Sequence, residues 1–278
     1  MGGELTSIYG KTTGFEYLWQ GNPEFWKGRA PIMFPICGRL TDGKYIYRGK
    51  EYEMNLHGFP RKMTLNVIEN TSNTLAFNIK SNEETLKIYP FNFDFTIKYI
   101  LKKNKIRTEL IVKNTDSEKE LLFSLGGHPG FNLPLEQGED FSDAYVEFKK
   151  PKKIEKLLFS ETCFYTGKNE PFPLENDKIL RLKHSLFDND AIFLSGMDNN
   201  VTLKSKGGNR FVNVRFKDMT HLGFWHAPKT EAPYMCIEPW HGVPSLDKVV
   251  DDFDTKAELM RLKAKKTYKT HFDITVSE

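Results

Sequence analysis

Short apolar or alternating runs, each closed by turn residues, succeed one another along this whole chain, and few folds satisfy that pattern. In the first half they fall at 45–47, 65–68, 74–79 and 93–99, and Lys103-Asn104 reads as a hairpin tip leading into 106–112. After 121–123, the runs 145–148, 191–194, 201–203, 211–216 and 268–276 continue the style, and Leu5 opens a further strand-like stretch. Val, Ile, Phe and Tyr at period two between Gly, Asn and Asp are strand signals. Helical periodicity is weak, with short candidates at 184–187 and 245–250. Strands at close spacing with no βαβ alternation predict an all-β chain, a large β-sandwich. No internal repeat or linker-like segment interrupts it, so residues 1–278 are read as a single domain.

A sheet protein of this size needs a large apolar core, and 22 Phe, 11 Tyr and 4 Trp in 278 residues supply it. The charge is nearly balanced, 40 basic against 37 acidic residues, and interspersed. That leaves no footprint for nucleic acid or an anionic membrane. The basic runs at 149–153 and 263–266 read as solvated turns or edge-strand charges. Cys37, Cys163 and Cys236 are too scattered for a disulfide scaffold, which suits a reducing cytosol. No run approaches the ~18 apolar residues of a membrane span, no secretory signal opens the chain, and a cytoplasmic location is expected. Residues 1–6 fit the loose N-myristoylation pattern, which is read as coincidence.

The polar residues that break the apolar pattern carry the chemistry. In Tyr234-Met235-Cys236-Ile237-Glu238-Pro239-Trp240 a carboxylate ends an apolar run, and the following proline holds it in extended geometry. Such a group, projecting from a strand end among aromatics, would have a raised pKa and could act as a base near neutrality. His128 lies in Gly126-Gly127-His128-Pro129-Gly130, again held extended before proline, and His57 lies in a second Gly/Pro-punctuated loop. Arg39 closes the run from Phe34, and Asp188 and Asp190 precede the run at 191–194. Singly, each is more often structural: a histidine satisfied by a carbonyl, an arginine in an ion pair, an aspartate capping a turn. Five such segments at strand ends are harder to dismiss. Trp225, Trp240 and Phe131 are candidates to stack on a sugar face, against core packing for at least one of them. His221 and His226 lack companions at metal-ligand spacing, so no zinc site is expected there.

Together the segments FPICGRL (34–40), NLHGFPR (55–61), GGHPGFNL (126–133), LFDND (186–190) and MCIEPW (235–240) resemble the aldose 1-epimerase (galactose mutarotase) family, most closely its LacX-like branch. They stand in the family's order across most of the chain. The resemblance implies a large antiparallel β-sandwich, a galactose mutarotase-like supersandwich, with an open sugar cleft on one face. It implies Glu238 as general base, His128 as general acid, and Arg39, His57 and Asp188 as groups that hold the sugar. Residues 3–7 resemble a motif that relatives place after a leading strand, and that strand is missing here. The expected activity is interconversion of hexose anomers by acid/base ring opening, with no cofactor and no metal. The expected partner is a small-molecule sugar, and the expected state is a monomer or homodimer. Arg61 and Lys62 after His57 keep a hexose 6-phosphate open as substrate, and a non-catalytic sugar-binding or sensing protein is the remaining alternative.

Overall fold

A computed structural model describes residues 1–150 and 153–277, so the basic run at 149–153 lies partly outside the described residues. The alternation read from the sequence becomes two large antiparallel sheets. In the strand Phe93–Lys102 every second side chain, Phe93, Phe95, Ile97 and Tyr99, is buried. A tight turn with Lys103 at φ 55° returns the chain as Lys105–Asn114. This hairpin is central to a nine-stranded sheet running from Ile179–Arg181 through Phe211–Phe216 and Thr267–Val276 to Asn66–Asn70. An eight-stranded sheet packs against it, with the order Tyr165–Pro171, Glu155–Phe159, Ile192–Ser195, His221–Trp225, Tyr234–His241, Leu125–Gly127 and Ile32–Met33. Gly130–Asn132 also pairs with Tyr234–His241.

Interdigitated aromatics close the space between the sheets. Phe34 stacks on Phe95 at 4.3 Å, and the Phe272 ring fills the space that a side chain at Gly127 would need. Burial of a large side chain is worth roughly 1.5–3 kcal/mol. The many fully buried Phe and Tyr side chains therefore stabilise the packing of the two sheets. Tyr234–His241 is buried along nearly its whole length, because it has cover on both faces. Met235 and Ile237 join the main core, while Tyr234, Cys236, Glu238 and Trp240 point the other way.

Three local expectations are corrected. Residues 245–250 are not helical: Leu246 bridges to Tyr165, and Lys248 takes φ 61° in a turn. Leu5 opens no strand, and the first paired residues are Tyr9–Gly10. The N-terminus is tied down instead, by Tyr99 Oη donating to the Gly3 carbonyl at 2.7 Å and Gly2 N to the Met63 carbonyl at 2.8 Å. Glu238 lies within its strand rather than at the end. The candidate at His184–Phe187 forms a single 3-10 turn. The α-helix Glu83–Ile88 was missed, although Asn82 caps it in a reciprocal capping box with Thr85. No helix among the described residues is long and apolar enough to cross a membrane.

Candidate active site

His128 and Glu238 face each other across two neighbouring strands. Gly126 pairs with Trp240 and Gly130 with Cys236, and the same register carried across the gap puts His128 opposite Glu238. The gap is His128-Pro129, where proline has no N–H for the ladder but its carbonyl accepts from Ile237 N at 3.1 Å. Opposed strand residues stand about 5 Å apart at Cβ. Here the side chains close to 3.4 Å between His128 Nε2 and Glu238 Oε2. On its other side Glu238 is paired with Gly223. A Cβ there would come 3.3 Å from that of Glu238 and 3.0 Å from the Phe193 ring, so glycine leaves the carboxyl group its room.

Both groups are desolvated, Glu238 at 1% exposed and His128 at 7%. Burial pushes His128 down to about 3. It holds Glu238 well above the ordinary carboxylate range, and the charge of Asp190 adds to this. The Trp240 indole N–H favours the carboxylate without reaching hydrogen-bond geometry. Burial thus favours the neutral pair, with the shared proton on the carboxyl. Glu238 Oε1 and His128 Nδ1 are buried with no partner among the described residues. Unpartnered buried polar atoms are costly, roughly 1–3 kcal/mol each, and cluster where a ligand supplies the missing contact.

His57 comes from a turn that needs two left-handed residues, His57 at φ 61° and Gly58 at φ 77°. A Cβ at 58 would sit 1.9 Å from the Phe34 carbonyl oxygen, which makes glycine obligatory. Gly38 N donates to His57 Nδ1 at 3.0 Å. The ring proton is thus on Nε2. Burial, with His128 next in weight, keeps the ring neutral, so His57 is a fixed donor. Arg39 follows Gly38 and reaches Asp190 Oδ2 at 3.4 Å and the Thr162 carbonyl at 3.4 Å. Arg61 leaves the same turn region toward the cleft, and its buried Nε has no partner among the described residues.

The cleft these groups line has a volume of about 290 Å³. Trp26 stacks on His128 at 4.9 Å, and Trp225 meets it edge-on at 5.6 Å. Arg39, His57, His128 and Glu238 are brought together. Asp188 is not: it is exposed and lines an adjoining hollow, while Asp190, two residues on, faces the cleft. Of the three aromatic candidates Trp225 and Trp240 line the cleft, and Phe131 is fully buried in the core. Trp26, Phe159, Phe193 and Cys163 were missed as wall residues. Trp26 had a signal, a tryptophan stranded in the turn-rich stretch Asn22-Pro23-Glu24-Phe25-Trp26-Lys27-Gly28.

A metal could find ligands here. His128, Cys236 and Glu238 offer nitrogen, sulfur and oxygen within 4.8 Å of one another. Burial, helped by Glu238, holds the Cys236 thiol well above its usual range, so an ion would have to displace that proton. His221 and His226 serve other partners: His226 Nε2 meets His184 Nδ1 at 3.1 Å, and His221 Nδ1 lies 3.4 Å from Glu258.

Residues 1–255 match the family described as aldose 1-epimerase. The chain is 36% identical over 283 aligned positions to the plasmid-encoded protein LacX of Lactococcus lactis, covering 99% of this chain and 94% of the relative. A galactose mutarotase related enzyme from Lactobacillus acidophilus superposes with a TM-score of 0.93 at 34% identity, over 100% of this chain and 92% of the other. A galactose mutarotase-like protein from Lactobacillus casei gives 0.92 at 28% identity, over 99% and 94%.

Proposed function

The chain belongs to the aldose 1-epimerase family, an isomerase by that membership, and on this premise we propose that it is a mutarotase interconverting the α and β anomers of a hexose. The observation that carries the reading is the buried acid–base pair at the cleft base, His128 Nε2 to Glu238 Oε2 at 3.4 Å. With the sugar bound, the proton passes from the Glu238 carboxyl to the His128 imidazole; Glu238 as carboxylate then takes the proton from the C1 hydroxyl while His128 as imidazolium gives one to the ring oxygen, and the C1–O5 bond breaks to leave the open aldehyde. Rotation about C1–C2 and reversal of both transfers close the other anomer. After opening, the pair is carboxylic acid and neutral imidazole, the form that burial favours. Each positioned transfer contributes ~10²–10⁴-fold. His57 Nε2–H, Arg39 and Asp190 hold the hydroxyls, and Trp26 and Trp225 offer apolar faces to the ring. The three free cysteines suit a cytoplasmic enzyme.

Proton exchange spectroscopy on equilibrated glucose and galactose tests this. Enzyme-dependent cross-peaks between anomeric protons are expected, and they should vanish in folded Glu238→Gln and His128→Asn. Wild-type exchange in both variants would sink the role assignment. Arg61 favours a second reading, a hexose bearing an anionic group such as phosphate. A guanidinium with a buried, unpartnered Nε is a natural partner for it. Inorganic phosphate competing with the sugar, and losing that effect in Arg61→Ala, would favour the anionic substrate.

A further inference from the structure

Opening the sugar ring requires His128 as an imidazolium, and its surroundings oppose that charge. The imidazole is 7% exposed, and its Nδ1 has no partner among the described residues. Burial pushes its pKa down, and the charge of Arg61 acts in the same direction. The ionisable groups that face it are Glu238 at 3.4 Å, Cys236 in the same 4.8 Å cluster, His57 edge-on at 5.5 Å, and Arg61. Arg39 and Asp190, paired at 3.4 Å, line the cleft beyond them. Burial keeps the Cys236 thiol protonated and the His57 ring neutral. Of the four groups facing the imidazole, Glu238 alone brings a negative charge, and it loses that charge when it takes the C1 hydroxyl proton.

What covers the imidazole is Trp26. Its indole stacks on His128 with centroids 4.9 Å apart and 28° between the planes. A cation over an indole, within about 6 Å of its centroid, is drawn to the negative face, most strongly where water is excluded. The chain builds a seat that fixes the indole there. The Asn22 carbonyl accepts from Phe25 N at 3.1 Å and from Trp26 N at 3.0 Å, and Trp19 Nε1 donates to the Trp26 carbonyl at 2.8 Å. A Cβ at Gly28 would come 2.6 Å from the indole, and one at Gly130, two residues after His128, would come 3.2 Å from it. Trp225 meets His128 edge-on at 81°, so it makes no second stack of this kind. Any apolar side chain of similar bulk would fill the space beside a neutral imidazole. An indole adds a negative face, which matters once the imidazole is charged.

We propose that Trp26 is a positioning residue for the acid: its π face holds the His128 imidazolium while the proton is delivered to the ring oxygen, a role separate from any contact with the sugar. The inference rests on the mutarotase reading and deepens it. It adds no step, since the proton that Glu238 passes to His128 is the one that goes on to O5, and the same C1–O5 bond breaks.

Replacing Trp26 with a monofluorinated and a trifluorinated tryptophan keeps the shape of the indole and drains its face, so the fold is left alone. Anomeric exchange is followed by NMR on glucose and galactose. With each degree of fluorination kcat should fall, to about a tenth of wild type for the trifluorinated form, a loss in the range of a desolvated cation–π contact. The loss should be the same for both sugars, with KM within about twofold, because a contact with the sugar would act through KM. Trp26→Phe, which keeps a smaller π face, should retain more kcat than Trp26→Leu, whose side chain has none. A kcat within about twofold of wild type across the fluorinated series overturns the inference and leaves the mutarotase reading standing. So does a loss carried by KM with kcat unchanged, which would make Trp26 a sugar contact. A wild type silent on both sugars removes the mutarotase reading and the inference with it.

Discussion

Glu238→Gln separates two consequences of the same buried carboxyl. The amide keeps the shape and cannot ionise. In the wild type, burial holds the Glu238 carboxyl neutral at pH values where an unfolded glutamate, near 4.5, has lost its proton. A raised folded-state pKa means the folded state binds more protons. The stability this group contributes is complete below the unfolded value and is lost as pH rises toward the folded one. While that holds, the slope reaches about 1.4 kcal/mol per pH unit. The variant lacks it. At pH 5 this linkage already favours the variant by about 0.8 kcal/mol, and each further unit should widen the gap, by roughly 0.5 M in urea midpoint if m is near 3 kcal/mol/M. Urea unfolding from pH 5 to 8 reads this, and anomeric exchange under the same conditions should fall ~10²–10⁴-fold. Parallel stability curves would refute the neutral carboxyl. Activity within tenfold of wild type would refute its part in proton transfer.

His128→Asn acts in the opposite sense. Because its folded pKa is pushed down to about 3, the wild type loses stability as pH falls from 6.5 toward that value. Chemical denaturation at pH 8 and pH 5 should show the variant gaining about 2 kcal/mol on its parent between the two. Gly58→Ala should lower stability by at least about 2 kcal/mol. It meets the Phe34 carbonyl at 1.9 Å and carries a left-handed φ of 77°; a thermal midpoint equal to wild type would contradict the built turn. Zinc should inhibit anomeric exchange reversibly by engaging His128, Cys236 and Glu238, with relief by a chelator. An equal inhibition constant in Cys236→Ser would exclude the thiol.

How much of this was legible in the sequence depended on whether the signal was local. Period-two burial in 93–99 and 106–112, and the hairpin tip at Lys103, follow from side chains a few residues apart, and the structure carries them as one long hairpin. Helix Glu83–Ile88 was missed because six residues hold too little periodicity, and its Asn82 cap was the one cue. Residues 245–250 mimic a helical pattern, yet Ser245 is claimed by long-range bonds, its N–H to the Arg39 carbonyl and its carbonyl to Tyr165 N. In the site, prolines and glycines marked His57, His128 and Glu238 as constrained positions. The choice between Asp188 and Asp190 was beyond sequence reading. It turns on three-dimensional placement around the left-handed φ of 75° at Asp190: both residues line the adjoining hollow, and only Asp190 also reaches the cleft. Trp26 comes from a distant segment, and no spacing could connect it to His128.

The cross-strand register of His128 and Glu238 ties chemistry to folding in a particular way. The pair is seated inside the eight-stranded sheet, with Glu238 on a strand that is paired along both edges. Amide protons flanking it, at Ile237 and Cys236, should be among the slowest to exchange with solvent. Catalytic competence and the cooperative unfolding transition should then disappear together as denaturant is added. The rim segments around Cys163 and Asn189 carry no such constraint, and substitutions there can retune which sugars enter while the proton-transfer geometry beneath them stays as it is.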